Sequence, residues 1–385
     1  MIVEIKGVQF VNKGAELMLC AILQQLKARN DTIKIALAPH VNSPYLSRIS
    51  VGAYQKLSLR KGVFDLNRLA FTLPKSVRKW FKNNWGIVTE ADIDVVLDAS
   101  GFAYGDQWKN MNVDHLYGEL IRAKRYNSKY IFMPQAMGPF TVESDRKKLK
   151  ASLPFASLVF AREKTTHDYI RSLAYGDENL FIAPDFTNLV IGEVPSYFTD
   201  GSEKVVIIPN SNMIGDNNPN KMWKDTYLTV LCDAVRVIKS MQLKPVLLNH
   251  EGKGDGRLCA QINEQFNNQL EYIEESDPLK VKGIIGNSKA VVCSRFHGCV
   301  SALSQSVPCV GTSWSHKYEQ LFSEYTADKQ LLNAGASYDD IKNALLFSID
   351  NVTSTQYSTQ VELYKSQTRD MWSKLNNVLD GVEGE

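Results

Sequence analysis

The feature that most restricts the fold is a repeated order of short apolar stretch, polar cluster and helix-like pattern. From residue 94 onward the order is regular, and apolar runs such as Val95–Leu97, Tyr130–Met133 and Leu158–Phe160 end in polar clusters. Short apolar runs that alternate with helical patterns indicate βα units and a parallel sheet. Because parallel strands end at a common edge, we expect the polar clusters to lie together on one rim of the sheet.

The same order occurs twice, separated by a break in the pattern. A first strand is predicted over Ile2–Phe10, and the alternation stops near Gly192–Gly201 before it restarts. A chain of 385 residues is long enough for two domains of ordinary size. We therefore predict an α/β protein with an N-terminal Rossmann-like domain over residues 1–193 and a C-terminal Rossmann-like domain over 194–385, the second carrying the C-terminal helices. Residues 51–92 depart from the alternation and are interpreted as a basic insertion.

Composition narrows the functional classes. The net charge of +2 is close to neutral, which argues against a nucleic-acid-binding protein. The first residues lack the basic start and apolar run of a signal peptide, and no stretch of about 18 apolar residues predicts a membrane-spanning helix. Six cysteines without a C-x-x-C pair are interpreted as reduced, buried thiols, and a zinc site is not expected. These features predict a cytoplasmic protein.

The stretch Ala290–Lys317 carries the strongest functional signal. It is predicted to form a buried strand over Ala290–Cys293, a turn with Arg295, and a helix that begins near His297. The matching point after the next apolar strand holds four further polar residues: Ser313, Ser315, His316 and Lys317. Cationic side chains beside free backbone N–H groups at a helix start suit a small, multiply charged anion. The alternative is an arginine that pairs with a carboxylate and a histidine that caps a helix.

The turn after the first strand holds Asn12, Gly14 and Glu16. One glycine is too few for a phosphate-binding fingerprint, since neither G-x-G-x-x-G nor G-x-x-x-x-G-K is present. Asn12 and Glu16 are candidates for binding a sugar hydroxyl. The alternative is that they cap the helix that follows.

The segment Arg60–Trp85 is strongly basic, with seven Lys and Arg residues against the single acidic residue Asp65. Its aromatic and aliphatic residues recur at helical spacing and alternate with basic residues. This pattern is typical of a basic amphipathic helix that lies on an anionic membrane surface or meets an anionic lipid-linked substrate. The alternative is a helix that packs on the domain edge with a solvated basic face.

Several motifs occur in a fixed order along the chain. They are Asn12-x-Gly14-x-Glu16, Asp98-Ala-Ser-Gly101, Gln135-Ala-Met-Gly138-Pro139, Arg162-Glu163, Pro184-Asp185, and Arg295-Phe-His297 followed by Val307-Pro308 and Lys317. In this order and spacing the chain resembles the polysaccharide pyruvyl transferases, from about Ile2 to Phe322. The first motif of that family usually ends in Asp where this chain has Glu16, and the second is usually richer in glycine. Both departures lie in the half expected to face the acceptor, so they bear on the identity of the acceptor.

Two consecutive Rossmann-like halves describe the GT-B architecture, in which two parallel sheets face a central cleft. The resemblance implies an acceptor-side first domain, a donor-side second domain, and transfer of the pyruvyl group of phosphoenolpyruvate to two hydroxyls of one sugar. The products would be a cyclic ketal and free phosphate. The expected acceptor is a sugar or a lipid-linked oligosaccharide, in exopolysaccharide, capsule or cell-surface glycan synthesis at the inner face of the membrane.

The candidate residues suit this chemistry. Arg162 and Arg295 can each hold a donor oxyanion through two parallel hydrogen bonds. His297 is the expected acid that protonates the methylene carbon, since histidine is the side chain whose ordinary pKa, about 6.5, lies nearest neutrality. Three residues are candidates for the base that takes the hydroxyl proton: Asp98, His250 and His316. Gln135 is expected to orient a hydroxyl or the carboxylate, and Lys317 to stabilise the departing phosphate; a turn residue and a solvated lysine are the alternatives.

Two other functions fit the same sequence. A GT-B glycosyltransferase would take a nucleotide sugar as its donor, and Glu251 or Glu319 would hold the ribose hydroxyls. A non-catalytic member of the family would bind a sugar or act as a scaffold. For the pyruvyl transferase, phosphoenolpyruvate is a donor substrate, and neither a cofactor nor a metal is expected because Arg and Lys can neutralise its charge.

Overall fold

The computed structural model describes residues 1–61, 64–108, 111–173, 176, 178–216, 218–313 and 315–384, without the side chains of Lys61, Met111 and His316. The strands of this part of the chain are β1 (Ile2–Lys6), β2 (Lys34–Leu37), β3 (Tyr54–Lys56), β4 (Arg60–Lys61), β5 (Phe64–Asp65), β6 (Ile87–Val88), β7 (Val95–Asp98), β8 (Lys129–Gln135), β9 (Leu158–Ala161), β10 (Leu180–Ile182), β11 (Lys204–Ile208), β12 (Lys244–Asn249), β13 (Glu271–Glu274), β14 (Ala290–Cys293), β15 (Cys309–Thr312) and β16 (Leu331–Leu332).

The α-helices of the described residues follow most of these strands. They are α1 (Lys13–Arg29), α2 (Tyr45–Ser50), α3 (Lys75–Trp85), α4 (Met111–Arg125), α5 (Glu143–Ser152), α6 (Lys164–Arg171), α7 (Met222–Ser240), α8 (Gly252–Glu264), α9 (Pro278–Gly286), α10 (Phe296–Leu303), α11 (His316–Glu324), α12 (Tyr338–Asn351) and α13 (Thr355–Glu383). The helix expected near His297 is therefore α10, and the amphipathic helix expected in the basic segment is α3.

The chain divides into two compact units. The first unit comprises Met1–Phe10, Met18–Phe186 and Gln367–Glu385, and the second comprises Val11–Leu17 and Thr187–Ser366. This division differs from the predicted one at 193/194 in three places. The change of unit comes slightly earlier, the start of α1 belongs to the second unit, and the end of α13 belongs to the first. Strand and helix patterns report local structure, so they do not show with which unit the end of a helix packs.

The sheet of the first unit has eight parallel strands in the order β10-β9-β8-β7-β1-β2-β3-β6. All four residues of β7 are buried, as expected for a strand covered on both faces. The region 51–92 contributes two short strands, β3 and β6, to one edge of this sheet. It also contains the antiparallel pair β4–β5 and the helix α3.

The sheet of the second unit has six parallel strands in the order β13-β12-β11-β14-β15-β16. Strands β11 and β14 are buried along their whole length, and α7 and α10 contribute further buried apolar side chains. Because β12 and β14 both pair with β11, the segments that follow them leave the sheet on either side of β11, at the carboxyl ends of the strands. The Arg295–His297 motif lies at these carboxyl ends.

The cysteines are reduced, as the sequence predicts: all six are free, and five of them are buried. No helix among the described residues is both long enough and apolar enough to cross a bilayer.

Candidate active site

Three segments of the second unit meet at the carboxyl edge of its sheet. They are the start of α1, the residues Asn249–Glu251 at the end of β12, and the residues Arg295–His297 between β14 and α10. The first of these is far from the other two in sequence, yet it belongs to the same compact unit. Contacts among the three segments bring together Asn12, His250, Glu251, Arg295 and His297, all of which the sequence had singled out.

The imidazole of His297 lies against the turn that begins α1. A Cβ added to Gly14 would overlap Nδ1 and Cγ of the ring and would lie 3.0 Å from the Cβ of His297. The Oδ1 atom of Asn12 caps this turn by accepting hydrogen bonds from the backbone N–H groups of Gly14 at 2.9 Å and Ala15 at 3.1 Å. On another side, the ring of Phe296 stands edge-on to the imidazole, with centroids 5.5 Å apart. Gly14 is therefore required by close approach, not by its backbone angles.

The guanidinium of Arg295 is held by two carboxylates. Its Nε donates to Oδ2 of Asp255 at 2.8 Å, its Nη2 donates to Oδ1 at 2.6 Å, and its Nη1 donates to Glu251. Asp255 is fully buried in the first turn of α8 and also accepts from the backbone N–H of Ser211 at 2.9 Å. Arg295 thus pairs with carboxylates, as the alternative interpretation of this residue proposed. That it also binds an oxyanion of the donor stays a prediction.

Glu251 is the less buried member of this group. Its side chain keeps 22% of its surface exposed, whereas that of Asp255 keeps none. Burial raises the pKa of the Glu251 carboxyl above its ordinary value, although Arg295 lowers it and a hydrogen bond from Asn12 lowers it further. A carboxylate with some exposure and a raised pKa is suited to accept a proton. The turn at Asn12–Gly14 therefore contacts both an imidazole and a carboxylate.

His250 is buried beside these groups. Burial, together with the charges of Arg295, His297 and Lys13, lowers the pKa of His250 to about 3. Among the described residues, its Nδ1 atom has no hydrogen-bond partner. The imidazole is thus neutral near pH 7, and its low pKa makes it a weak base.

The lowered pKa of His250 predicts a pH-dependent stability. The folded protein keeps this imidazole neutral down to about pH 3, whereas the unfolded chain binds a proton below its ordinary pKa of 6.5. His250 therefore does not reduce the free energy of unfolding above pH 6.5. Between pH 6.5 and about pH 3 it lowers the free energy of unfolding by about 1.4 kcal/mol for each pH unit that the pH falls. Urea unfolding of the wild type and of His250→Asn at several pH values measures it. Parallel pH profiles for the two proteins would contradict the assignment.

Asp98 and Gln135 of the first unit are both fully buried. The carboxylate of Asp98 accepts hydrogen bonds from the hydroxyls of Tyr104 and Tyr130, each at 2.7 Å, and from the N–H and hydroxyl of Ser100 at 3.1 and 2.5 Å. Gln135 donates from Nε2 to the backbone oxygen of Asp98 at 3.0 Å. The structure thus brings these two residues together in the interior of the first unit. The role of Asp98 as a base stays a prediction.

Arg162 follows β9 in the same unit. Its backbone N–H donates to the carbonyl oxygen of Gln135 at 3.1 Å, and its Nε lies 3.6 Å from Oε2 of Glu163. The side chain is largely buried. Its predicted role in holding an oxyanion stays a prediction.

The remaining candidates belong to the second unit. Glu16 forms an ion pair with Lys13, with 2.6 Å between Oε2 and Nζ, and burial raises the pKa of Glu16. The ammonium of Lys317 lies 5.0 Å from the ring centroid of Phe296, the residue next to His297. Ser315 precedes α11 without capping it through its side chain. The side chain of His316 lies outside the part of the chain that the structure describes.

Sequence reasoning did not find Asp255 or Lys13. Asp255 lies in the run Gly252-Lys-Gly-Asp-Gly256, which matches no nucleotide-binding signature. The signal that was available is an acidic residue among glycines at the start of the helix that follows β12. Lys13 stands inside the Asn12-x-Gly14 motif, at a position that the motif leaves open.

Solved structures with the same architecture span nearly the whole chain. A putative UDP-N-acetylglucosamine 2-epimerase from Listeria monocytogenes is 11% identical, with a TM-score of 0.61 over 99% of this chain and 96% of that one. A UDP-GlcNAc 2-epimerase from Neisseria meningitidis bound to UDP-GlcNAc is 10% identical, with a TM-score of 0.59 over 98% and 99%. Anabaena Alr3699/HepE in complex with UDP and glucose is 11% identical, with a TM-score of 0.54 over 98% and 100%. These likenesses show the GT-B fold that the sequence predicts.

No curated protein is significantly similar to the chain in sequence. A family model does match it: the model of the polysaccharide pyruvyl transferases covers residues 12–316. This range includes the Asn12–Gly14 turn, the Asn249–Glu251 segment and the Arg295–His297 motif, so it spans the three segments that form the site. The chain is a transferase that belongs to the polysaccharide pyruvyl transferase family.

Proposed function

We propose that the protein transfers the pyruvyl group of phosphoenolpyruvate to two hydroxyls of a sugar, forming a cyclic ketal during cell-surface glycan or exopolysaccharide synthesis. The observation that carries the proposal is the placement of an imidazole, His297, and a carboxylate, Glu251, against one turn in a chain of this family. Ketal formation needs an acid for the donor carbon and a base for the acceptor hydroxyl, and these two groups supply them. The acceptor is a sugar, free or carried on a lipid-linked oligosaccharide.

The proposed reaction balances without a cofactor. His297 gives a proton to the methylene carbon, the central carbon becomes electrophilic, and a sugar hydroxyl attacks it while a base takes the hydroxyl proton. The bond between the central carbon and the phosphate oxygen then breaks, and the second hydroxyl attacks the same carbon to close the ketal. The two hydroxyls release two protons. One of them returns to His297, which gave its proton to the new methyl group, and the other leaves with phosphate.

Glu251 is the base that the geometry supports best. Asp98 is fully buried and accepts four hydrogen bonds, and the pKa of His250 is lowered to about 3. Glu251 keeps part of its carboxylate exposed and has a raised pKa. Arg295 then acts as a positioning residue, since it holds Glu251 while Asp255 neutralises its charge.

Replacing Glu251 with glutamine is expected to lower turnover roughly 10²–10⁴-fold, the usual contribution of a general base. The amide keeps the size of the side chain but does not accept the hydroxyl proton. Turnover is measured as phosphate released from phosphoenolpyruvate in the presence of candidate sugars and sugar-lipids. Glu264→Gln, an exposed change on α8, is the matched control and should leave turnover unchanged. Full turnover in Glu251→Gln would remove Glu251 from the mechanism.

A nucleotide-sugar transferase is the second candidate. The observation in its favour is that two of the similar folds were solved with UDP-GlcNAc or with UDP and glucose. The same incubation separates the candidates, because that enzyme would release a nucleoside diphosphate from a sugar nucleotide and would leave phosphoenolpyruvate intact. Release of neither product, with sugar binding retained, would favour a non-catalytic family member.

A further inference from the structure

Helix α3 of the first unit is amphipathic, yet none of its residues is buried. Trp80 and Trp85 keep 51% and 54% of their surface exposed, and Val77 keeps 37%. The two indole rings pack on each other, with centroids 4.7 Å apart. An amphipathic helix of a globular protein normally turns its apolar face to the core. This face is instead left at the surface of the unit.

The charge of the helix has one sign. No acidic residue occurs between Asp65 and Glu90, whereas five basic residues do. Arg78 pairs with Asp92 and donates to the backbone oxygen of Ala91 at 2.8 Å, which fixes the helix to the unit. The other basic side chains of α3 are lysines without an ion-pair partner among the described residues: Lys75, Lys79 and Lys82.

We propose that α3 is a docking surface for an anionic membrane. Tryptophan is favoured where an apolar surface meets water, because its ring is apolar and its N–H is polar. Lysines beside such rings are attracted to anionic lipid headgroups, and a basic amphipathic helix of this kind lies in the plane of the interface. The proposal does not depend on the reaction catalysed, although it would place the enzyme next to a lipid-linked acceptor.

A second copy of the chain is a poorer occupant of this face. A two-fold dimer brings the same patch of each subunit together, so the lysines of one α3 would face the lysines of the other. Like charges placed together at an interface oppose association. An anionic surface pairs with the same lysines favourably, which is why the membrane is preferred.

The test is sedimentation of the full-length protein with vesicles of phosphatidylcholine alone and of phosphatidylcholine mixed with phosphatidylglycerol. We expect binding to the anionic vesicles that weakens as salt is added. The triple variant K75Q/K79Q/K82Q should bind roughly a hundred-fold more weakly, because each basic residue near an anionic surface contributes about a fivefold factor. W80S/W85S should also lose binding, which a purely ionic adsorption would not.

The matched control is K27Q/K34Q/K124Q, which removes the same charge from exposed lysines outside α3 and should bind as the wild type does. Thermal unfolding shows that each variant is folded, and the phosphate-release assay, run without vesicles and with a soluble sugar, reports the proposed reaction separately. Equal binding to both kinds of vesicle, or equal binding by the α3 variants and the control, would overturn the proposal. So would a wild-type dimer that W80S/W85S converts to a monomer, since a second copy would then cover the face.

Discussion

Replacing His297 with glutamine is expected to lower the turnover of phosphoenolpyruvate roughly 10²–10⁴-fold, because the N–H group of an amide is far too weakly acidic to protonate the methylene carbon. The change keeps a polar side chain of similar length at the start of α10, so donor binding should change far less than turnover. Turnover and KM for phosphoenolpyruvate, measured by phosphate release with an acceptor present, separate the two effects. His115→Gln, on α4, is the matched control and should retain full turnover.

Gly14→Ala tests the placement of the same imidazole without removing it. The new Cβ would overlap the ring at Nδ1 and Cγ, so the imidazole must move away from its present position. We expect a loss of turnover that approaches the loss in His297→Gln, since general acid catalysis requires the proton to be within hydrogen-bond reach of its target. Wild-type turnover in Gly14→Ala, together with a strong defect in His297→Gln, would show that the turn does not position the ring.

Replacing Asp255 with alanine is expected to lower the free energy of unfolding by about 3–5 kcal/mol. The change removes two hydrogen bonds from the buried guanidinium of Arg295 and leaves Glu251 as its carboxylate partner among the described residues. It also leaves the backbone N–H of Ser211 without its carboxylate acceptor. Urea unfolding measures the loss.

Asp350→Ala is the control for this prediction, because Asp350 is exposed near the end of α12 in the same unit. Surface changes of this kind usually alter stability by no more than about 0.5 kcal/mol. The double change Asp255→Ala with Arg295→Met should recover part of the loss, since it removes the buried charge that Asp255 compensates. A small effect of Asp255→Ala would mean that water or Glu251 satisfies Arg295 without it.

The parallel sheets could be predicted from the sequence because most of their strands are covered on both faces. Strands such as β7, β11 and β14 are continuous apolar runs, and their burial matches that pattern. Strands β3, β6 and β16 did not show in the sequence, since their three, two and two residues are too few to form a recognisable pattern. They pair at a sheet edge, where the neighbouring strand decides the conformation.

The first strand was predicted over Ile2–Phe10, but β1 ends at Lys6. The reason lies in Gly7, which has a φ of 82° and whose Cα faces the backbone of Ser100 so closely that a Cβ would not fit. Positive φ and close approach both favour glycine, and the close approach involves a residue distant in sequence. The chain therefore leaves the sheet where a tertiary contact requires it.

The candidate site was predicted in part for a similar reason. Arg295 and His297 follow β14 at the edge expected from the order of strand, turn and helix. The partner of Arg295 was not predicted, because an arginine motif does not show which carboxylate meets it in space. Asp98 was a candidate base because it ends a strand, yet the hydroxyls of Tyr104 and Tyr130 close over it. Local pattern locates the edge, and tertiary packing decides which side chains stay accessible there.

The short segment Val11–Leu17 bears on how the second unit folds and on which fragments of the chain can form the site. It lies near the beginning of the chain, but it belongs to the unit whose other residues come after Phe186. The imidazole of His297 therefore contacts Gly14 only after two segments far apart in the chain have come together. This holds even if the sheet of the second unit has already formed. A fragment that begins at Thr187 would retain both carboxylates around Arg295 and would still lack the Asn12–Gly14 turn that contacts His297. Adding a peptide that spans the first turn of α1 to such a fragment would be the way to complete it.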